Sequence, residues 1–265
     1  MQTERSDTAA AHEPELVLPP GVAPMTWPSL GRRHALSLAG IGLLGGVLAA
    51  CGKGGSEVVV PERNDAKELT AKDIKERLVA GNERYVKGTP AHPDLSLARR
   101  KKLGEGQKPF ATVLSCVDSR VPPELVFDQG LGDLFVIRSA GQVVDRAVLG
   151  SIQFGVAELE IPYLVVMGHT KCGAVGATVE HLESKKGPTG TDIDALITAI
   201  SHAVHEAEAA GIEGEDLVAA TVEFNVDRVV TELEEAKVLM AAEKKRQLKI
   251  VGAIYDVETG EVDFL

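Results

Sequence analysis

The stretch VLSCVDSR, residues 113–120, closes an apolar run with a cysteine, an aspartate and an arginine at alternate positions. In an extended chain alternate side chains share a face, so Cys116, Asp118 and Arg120 are expected to point the same way. The run before them, FATVLSC (110–116), reads as a buried strand, and three more runs share its character: LFVIRSA (134–140), YLVVMGH (163–169) and LKIVGAIYD (248–256). Helical spacing separates them. Leu149, Ile152, Val156 and Leu159 line one face of a helix over 145–160, and Val218, Val222, Val226, Val229 and Leu233 do the same over 215–233. Near-continuous apolar strands alternating with amphipathic helices predict an α/β fold, a mostly parallel β-sheet flanked by helices on both faces. A further helix is expected over 70–86, N-capped by Thr70, with a polar linker KGTPAHPDLS after it. The C-terminal YDVETGEVDFL predicts a hairpin turning at Thr259-Gly260 that adds an edge strand.

Ligands of open parallel sheets sit at the carboxyl ends of the strands. Cys116 ends the first strand and His169 ends the third, within GHTKCGAV (168–175). His169 and Cys172 stand three apart at a strand-to-helix turn, and a first helical turn would put both on one side. Two sulfurs and one imidazole suit tetrahedral zinc, and three protein ligands leave a fourth position for water, the pattern of a catalytic centre. Two simpler assignments compete: a buried cysteine acting as a small apolar residue, and a Cys116–Cys172 disulfide. Neither explains why Cys-x-Asp-x-Arg and His-x-x-Cys occur together. His92, His181, His202 and His205 lack such a setting and read as surface or helix-face residues.

The first fifty residues read as an address. Arg32 and Arg33 precede sixteen uncharged residues, Ala35 to Ala50, in the layout of a secretory signal, too short to span a bilayer comfortably. The paired arginines resemble a twin-arginine export signal, with Sec export as the alternative. Leu48-Ala49-Ala50-Cys51 resembles a bacterial lipobox, which implies cleavage before Cys51 and a lipid on its sulfur. The expected division is signal peptide 1–50, lipidated tether 51–66 and globular domain 67–265, placing an exported lipoprotein in the periplasm or cell envelope, on a membrane. Net charge is −11 over 265 residues, which disfavours nucleic acid and anionic membrane surfaces as direct partners.

The succession CVDSR, IRSAGQVV, LGSIQFGVAELEIP and VVMGHTKCGAV resembles the β-class carbonic anhydrases, from about Ile74 to the C-terminal KIVGAIYDVETGEVDFL. The resemblance implies one zinc ion per chain on Cys116, His169 and Cys172, and hydration of CO2 to bicarbonate by a zinc-bound hydroxide. It implies Asp118 and Arg120 as the catalytic dyad, with Asp118 as a fourth ligand in a closed form only. Gly173 would let a backbone amide approach the substrate, and a second subunit would complete the pocket in a homodimer or higher oligomer. Ser139-Ala140-Gly141-Gln142 departs from the family's usual Asn-Ala-Gly-Asn. A hydrolase of carbon disulfide or carbonyl sulfide, and a zinc-bearing module without catalysis, are the alternatives; the intact Asp118 and Arg120 argue against the second.

Overall fold

The computed structural model describes residues 69–185 and 187–265. The expected signal peptide and tether lie outside the described residues. Within them one five-stranded sheet forms in the order β2-β1-β3-β4-β5. The strands are β1 (Ala111–Cys116), β2 (Leu134–Ser139), β3 (Tyr163–His169), β4 (Lys249–Tyr255) and β5 (Val262–Phe264). The first four are parallel, and β5 returns antiparallel on β4 as the expected hairpin. Each expected strand lies within one residue of its observed ends.

Every residue of β1 and β3 is buried, because helices cover both faces. Alternation sorts their side chains between two cores. Val113, Val165 and Met167 pack with Ile74, Leu78, Val126 and Phe127 on one face. Leu114, Leu164 and Val166 pack with Ile152, Val226, Leu233 and Leu239 on the other. The first face is covered by α1 (Ala71–Val86) and α3 (Pro123–Val126), the second by α4 (Arg146–Ala157), α7 (Leu217–Glu235) and α8 (Lys237–Lys244). Three more helices complete the described chain: α2 (Leu97–Leu103), α5 (Gly173–Glu183) and α6 (Ile193–Ala209). None of the described helices is long and apolar enough to cross a membrane.

Local chemistry sets these boundaries. Thr70 caps α1 in a reciprocal capping box: its hydroxyl accepts from Asp73 N, and the Asp73 carboxylate accepts from Thr70 N. Asp145 caps α4 by accepting from Val148 N at 2.7 Å. Where α1 crosses the end of α3, a Cβ on Gly81 would lie 1.8 Å from the carbonyl oxygen of Phe127, so only glycine permits that approach. The segment 87–96, expected as a linker, is pinned instead. Buried Asp128 accepts from Ala91 N and His92 N, both at 2.9 Å, and pairs with Arg84 at 2.6 Å.

Asn82 ties three elements together. Its amide donates to the carbonyls of Val126 (3.1 Å) and Gly260 (2.7 Å), and its oxygen accepts from Val262 N at 3.0 Å. Replacing it by alanine would strand buried backbone groups on both α3 and the hairpin. Asn82→Ala is therefore expected to lower unfolding stability by roughly 2 to 3 kcal/mol, read from urea denaturation; a change within about 0.5 kcal/mol would refute this bridging role.

Candidate metal centre

Because β1 pairs in parallel with β3, the carboxyl ends of the two strands emerge side by side. Cys116 is the last residue of β1, His169 the last of β3, and Cys172 the N-cap residue of α5. Their ligand atoms all lie within 4.8 Å of one another. All three are buried, and His169 is wholly so. Among the described residues these three are the only such cluster of histidine, cysteine and acidic side chains. Both thiols are free, so the structure carries no Cys116–Cys172 disulfide.

Two expectations about how the side chains converge need correction. Strand alternation stops at Cys116: Asp118 Oδ1 accepts from Arg120 N at 2.9 Å, and Val121 N donates to the Asp118 carbonyl at 3.0 Å. A tight turn nucleated by the aspartate, rather than an extended chain, brings Arg120 back onto Asp118. Likewise His169 and Cys172 share no helical turn. The chain between them turns through Lys171 in the left-handed region (φ 55°), and α5 begins only at Gly173.

The donor set fits a soft divalent metal such as zinc. His169 Nδ1 lies 2.9 Å from the carbonyl oxygen of Thr170, which can only accept. With its proton there, the neutral ring presents a bare lone pair at Nε2. That Nε2 is buried without any hydrogen-bond partner, as a ligand atom facing a metal position would be. A hydrogen bond between the two thiols shifts their acidities in opposite directions. The hydrogen bond from Cys172 brings Cys116 down to about 4, helped by His169 and by the amide of Gly141, which donates to Cys116 Sγ at 3.3 Å. The same bond, with burial, pushes Cys172 up. Burial alone would depress His169, yet the Cys116 thiolate beside it gives a net rise.

Asp118 Oδ2 sits 4.0 Å from His169 Nε2. Arg120 grips this carboxylate as a fork, Nε to Oδ1 at 2.9 Å and Nη2 to Oδ2 at 2.7 Å. The guanidinium holds the acid well below the usual carboxylate range. Arg120 Nη2 also donates to the carbonyl of Lys171 at 3.1 Å, linking the Cys116 loop to the Cys172 loop. One side of the thiol pair is apolar, packed by Val175, Ile200 and Val222 with Val143 and Ala174. Gly173 opens α5, and nothing lies within 4 Å of where its Cβ would stand.

Several contributors escaped the sequence. Gly141 adopts φ 61°, which glycine takes freely, and aims its amide at Cys116 while its carbonyl accepts from Asn225 Nδ2 at 2.9 Å. Ser139, in the altered tetrapeptide, closes this turn by donating to the Val143 carbonyl at 2.6 Å. Arg138 donates to the carbonyls of Cys116 and Asp118. Its signal was visible: one cation inside the apolar strand LFVIRSA.

Known proteins carry the same features. A carbonic anhydrase family model matches residues 111–262. The chain is 39% identical over 184 residues to a carbonic anhydrase of Mycolicibacterium smegmatis, covering 69% of this chain and 87% of that one. It is 51% identical over 113 residues to carbonic anhydrase 2 of Mycobacterium tuberculosis, covering 43% and 55% respectively. Among solved structures it resembles the β-carbonic anhydrase CafA of Aspergillus fumigatus, with 27% identity and a TM-score of 0.58 over 72% of this chain and 90% of that one. By sequence, fold and the composition of its buried cluster, the chain belongs to the β-class carbonic anhydrases.

Proposed function

We propose that the chain hydrates CO2 to bicarbonate and a proton with a zinc ion held by Cys116, His169 and Cys172. The observation that carries the metal assignment is the buried, unpartnered His169 Nε2 grouped with two thiol sulfurs inside 4.8 Å. A zinc ion there would supply a nucleophile at neutral pH, because coordination lowers the pKa of water from 15.7 towards about 7.

The remaining work falls to side chains. Asp118, kept ionised by Arg120, accepts a hydrogen bond from the attacking water through a carboxylate oxygen and so turns the water's lone pair towards CO2. Arg120 restrains Asp118 from swinging towards the sulfurs. The apolar side formed by Val175, Ile200 and Val222 suits a substrate without charge or dipole. The Gly173 amide is among the first N–H groups of α5, which have no intrahelical partner, and nothing lies within 4 Å of where a Cβ on Gly173 would stand, which suits close approach of a developing bicarbonate oxygen.

The chain is also proposed to reach its site of action as an exported lipoprotein. Arg32-Arg33, the uncharged run to Ala50 and the lipobox ending at Cys51 support this. Assembly into a homodimer or larger oligomer is proposed as well: among the described residues β2 ends the sheet with an unpaired edge, and Leu125 and Phe154 are large exposed apolar groups.

Stopped-flow CO2 hydration by the zinc-loaded protein, across roughly pH 6.5 to 9, decides the enzymatic reading. Rapid turnover is expected, and zinc-replete protein inert throughout would sink it. Asp118 has a depressed pKa, so it is ionised above that value and stays so across the whole window. Its own protonation should therefore leave no step in the profile. Asp118→Ala should keep its zinc and lose about 10²-fold or more in kcat, whereas Cys116→Ser should lose zinc by elemental analysis. In cells of the source, Cys51→Ser should move the protein from the membrane to the soluble fraction; retention on the membrane would refute lipid anchoring. A monomer at micromolar concentration in analytical ultracentrifugation would refute the oligomer.

A further inference from the structure

Arg138 has no place in the chemistry described so far, yet both hydrogen bonds of its side chain go to the active-site backbone. Nε donates to the carbonyl of Cys116 at 2.9 Å, and Nη2 donates to the carbonyl of Asp118 at 2.7 Å. In the parallel register Arg138 stands opposite Ser115, and Ser139 opposite Cys116. Strand neighbours in register share a face and successive residues alternate. The Arg138 side chain therefore leaves the sheet on the face opposite the Cys116 sulfur and reaches the loop from below. Both of its hydrogen bonds go to backbone carbonyls, not to a sulfur or nitrogen atom of the cluster.

Its two acceptors are special. Beyond Cys116 the β1 ladder runs out, and Val117 N makes the last backbone bond to β2, reaching the Ser139 carbonyl at 3.2 Å. The turn that carries Asp118 begins immediately afterwards. A planar fork with fixed spacing between its donors spans the two carbonyls on either side of Val117 and sets the path of the chain between the metal-binding cysteine and the acid. From there the restraint passes outward. The Asp118 backbone fixes where its carboxylate meets Arg120, and Arg120 in turn holds the Lys171 carbonyl of the facing loop.

We infer that Arg138 is a positioning residue for Asp118: its two-point clamp on the Cys116 and Asp118 carbonyls holds the carboxylate at its working distance from the metal position. The inference rests on the role given to Asp118 above. It assigns Arg138 no contact with substrate and no proton to carry. What it demands is the fork rather than the charge. A lysine at this position supplies a single ammonium that serves one carbonyl or the other, so the charge-conserving variant should behave like the neutral one.

The test uses the full chain as native protein, Arg138→Lys and Arg138→Gln, each loaded with zinc for kinetics and separately with cobalt(II) for visible absorption. Both variants are expected to bind one metal per chain. Their kcat should fall by on the order of 10²-fold, the effect of a misplacement of about 1 Å, with KM for CO2 little changed. Their cobalt spectra should differ from the native spectrum, because Asp118 stands differently towards the metal. Arg138→Lys with native kcat and a native cobalt spectrum would overturn the inference, since charge alone would then suffice. Loss of metal from a folded Arg138→Lys would also overturn it, making the residue a scaffold for Cys116. Should Arg138→Gln fail to fold, Arg138→Lys decides alone. If the native protein binds metal but does not hydrate CO2, it is the enzymatic reading that has failed, and the cobalt comparison still decides the positioning role.

Discussion

Parallel pairing of β1 with β3 is the constraint on which the rest of the site depends. It sets the last residues of two strands next to each other at one end of the sheet, where both ladders stop and the chain leaves in tight turns. Antiparallel pairing would have sent Cys116 and His169 to opposite ends. The pairing is held by burial of both strands on both faces, so the positions of the ligand atoms are inherited from the two cores and not from the loops that carry the chemistry. The third donor, Cys172, arrives from the turn that follows β3 and needs only Lys171 in the left-handed region to face the same point.

Such crowding is costly without a cation. Two unit charges about 4 Å apart interact with about 4 kcal/mol at an effective dielectric constant near 20. Two thiolates within 4.8 Å of each other would repel by several times RT, so the hydrogen bond between Cys116 and Cys172 moves the two thiols in opposite directions, and the Cys116 side chain raises His169. The three donors would hold a divalent cation in place of the thiol protons, which would offset that repulsion. Asp118 stays apart from that exchange because Arg120 neutralises it from the exposed side. One charged group is thus paired with a guanidinium, while the three clustered donors are of the kind that suits a metal.

Much of this was legible in the sequence and some was not, for identifiable reasons. The strands and their order of chemistry follow from runs of β-branched and apolar residues, which a sheet buried on both faces demands. The helices α1, α4 and α7 announce themselves by apolar spacing, and α1 also by its cap at Thr70; the Asp145 cap of α4 is seen only in the structure. Helix α6 escaped because its buried positions, Ile200, Ala203, Val204 and Ala207, are half alanine and give a faint stripe. The convergence of Cys116, Asp118 and Arg120 was foreseen for the wrong reason: spacing of two suggested a strand, whereas the aspartate's own preference for bonding the amide two residues on ends the strand and bends the chain. Contacts made through backbone, such as Gly141 N to Cys116 and Arg138 to two carbonyls, leave no pattern in residue types beyond a glycine and an isolated cation.

That isolated cation points to a wider rule in the design of the site. Where parallel strands run out, their final carbonyls lose ladder partners, yet the loops they begin must be held more rigidly than ordinary loops because they carry ligands. Two arginines resolve the conflict from opposite sides, Arg138 on the carbonyls of Cys116 and Asp118, Arg120 on that of Lys171. Arginine is suited to this because it offers several donors, no acceptor and a planar geometry, so it satisfies carbonyls without competing for the metal. At Arg138 a lysine would bring comparable charge without the fork, whereas at Arg120 a carboxamide would remove the charge that keeps Asp118 ionised. The site is therefore a candidate metal-ligand cluster placed by the sheet and an acid placed by guanidinium groups, two frameworks that meet at the four-ångström gap between Asp118 and His169.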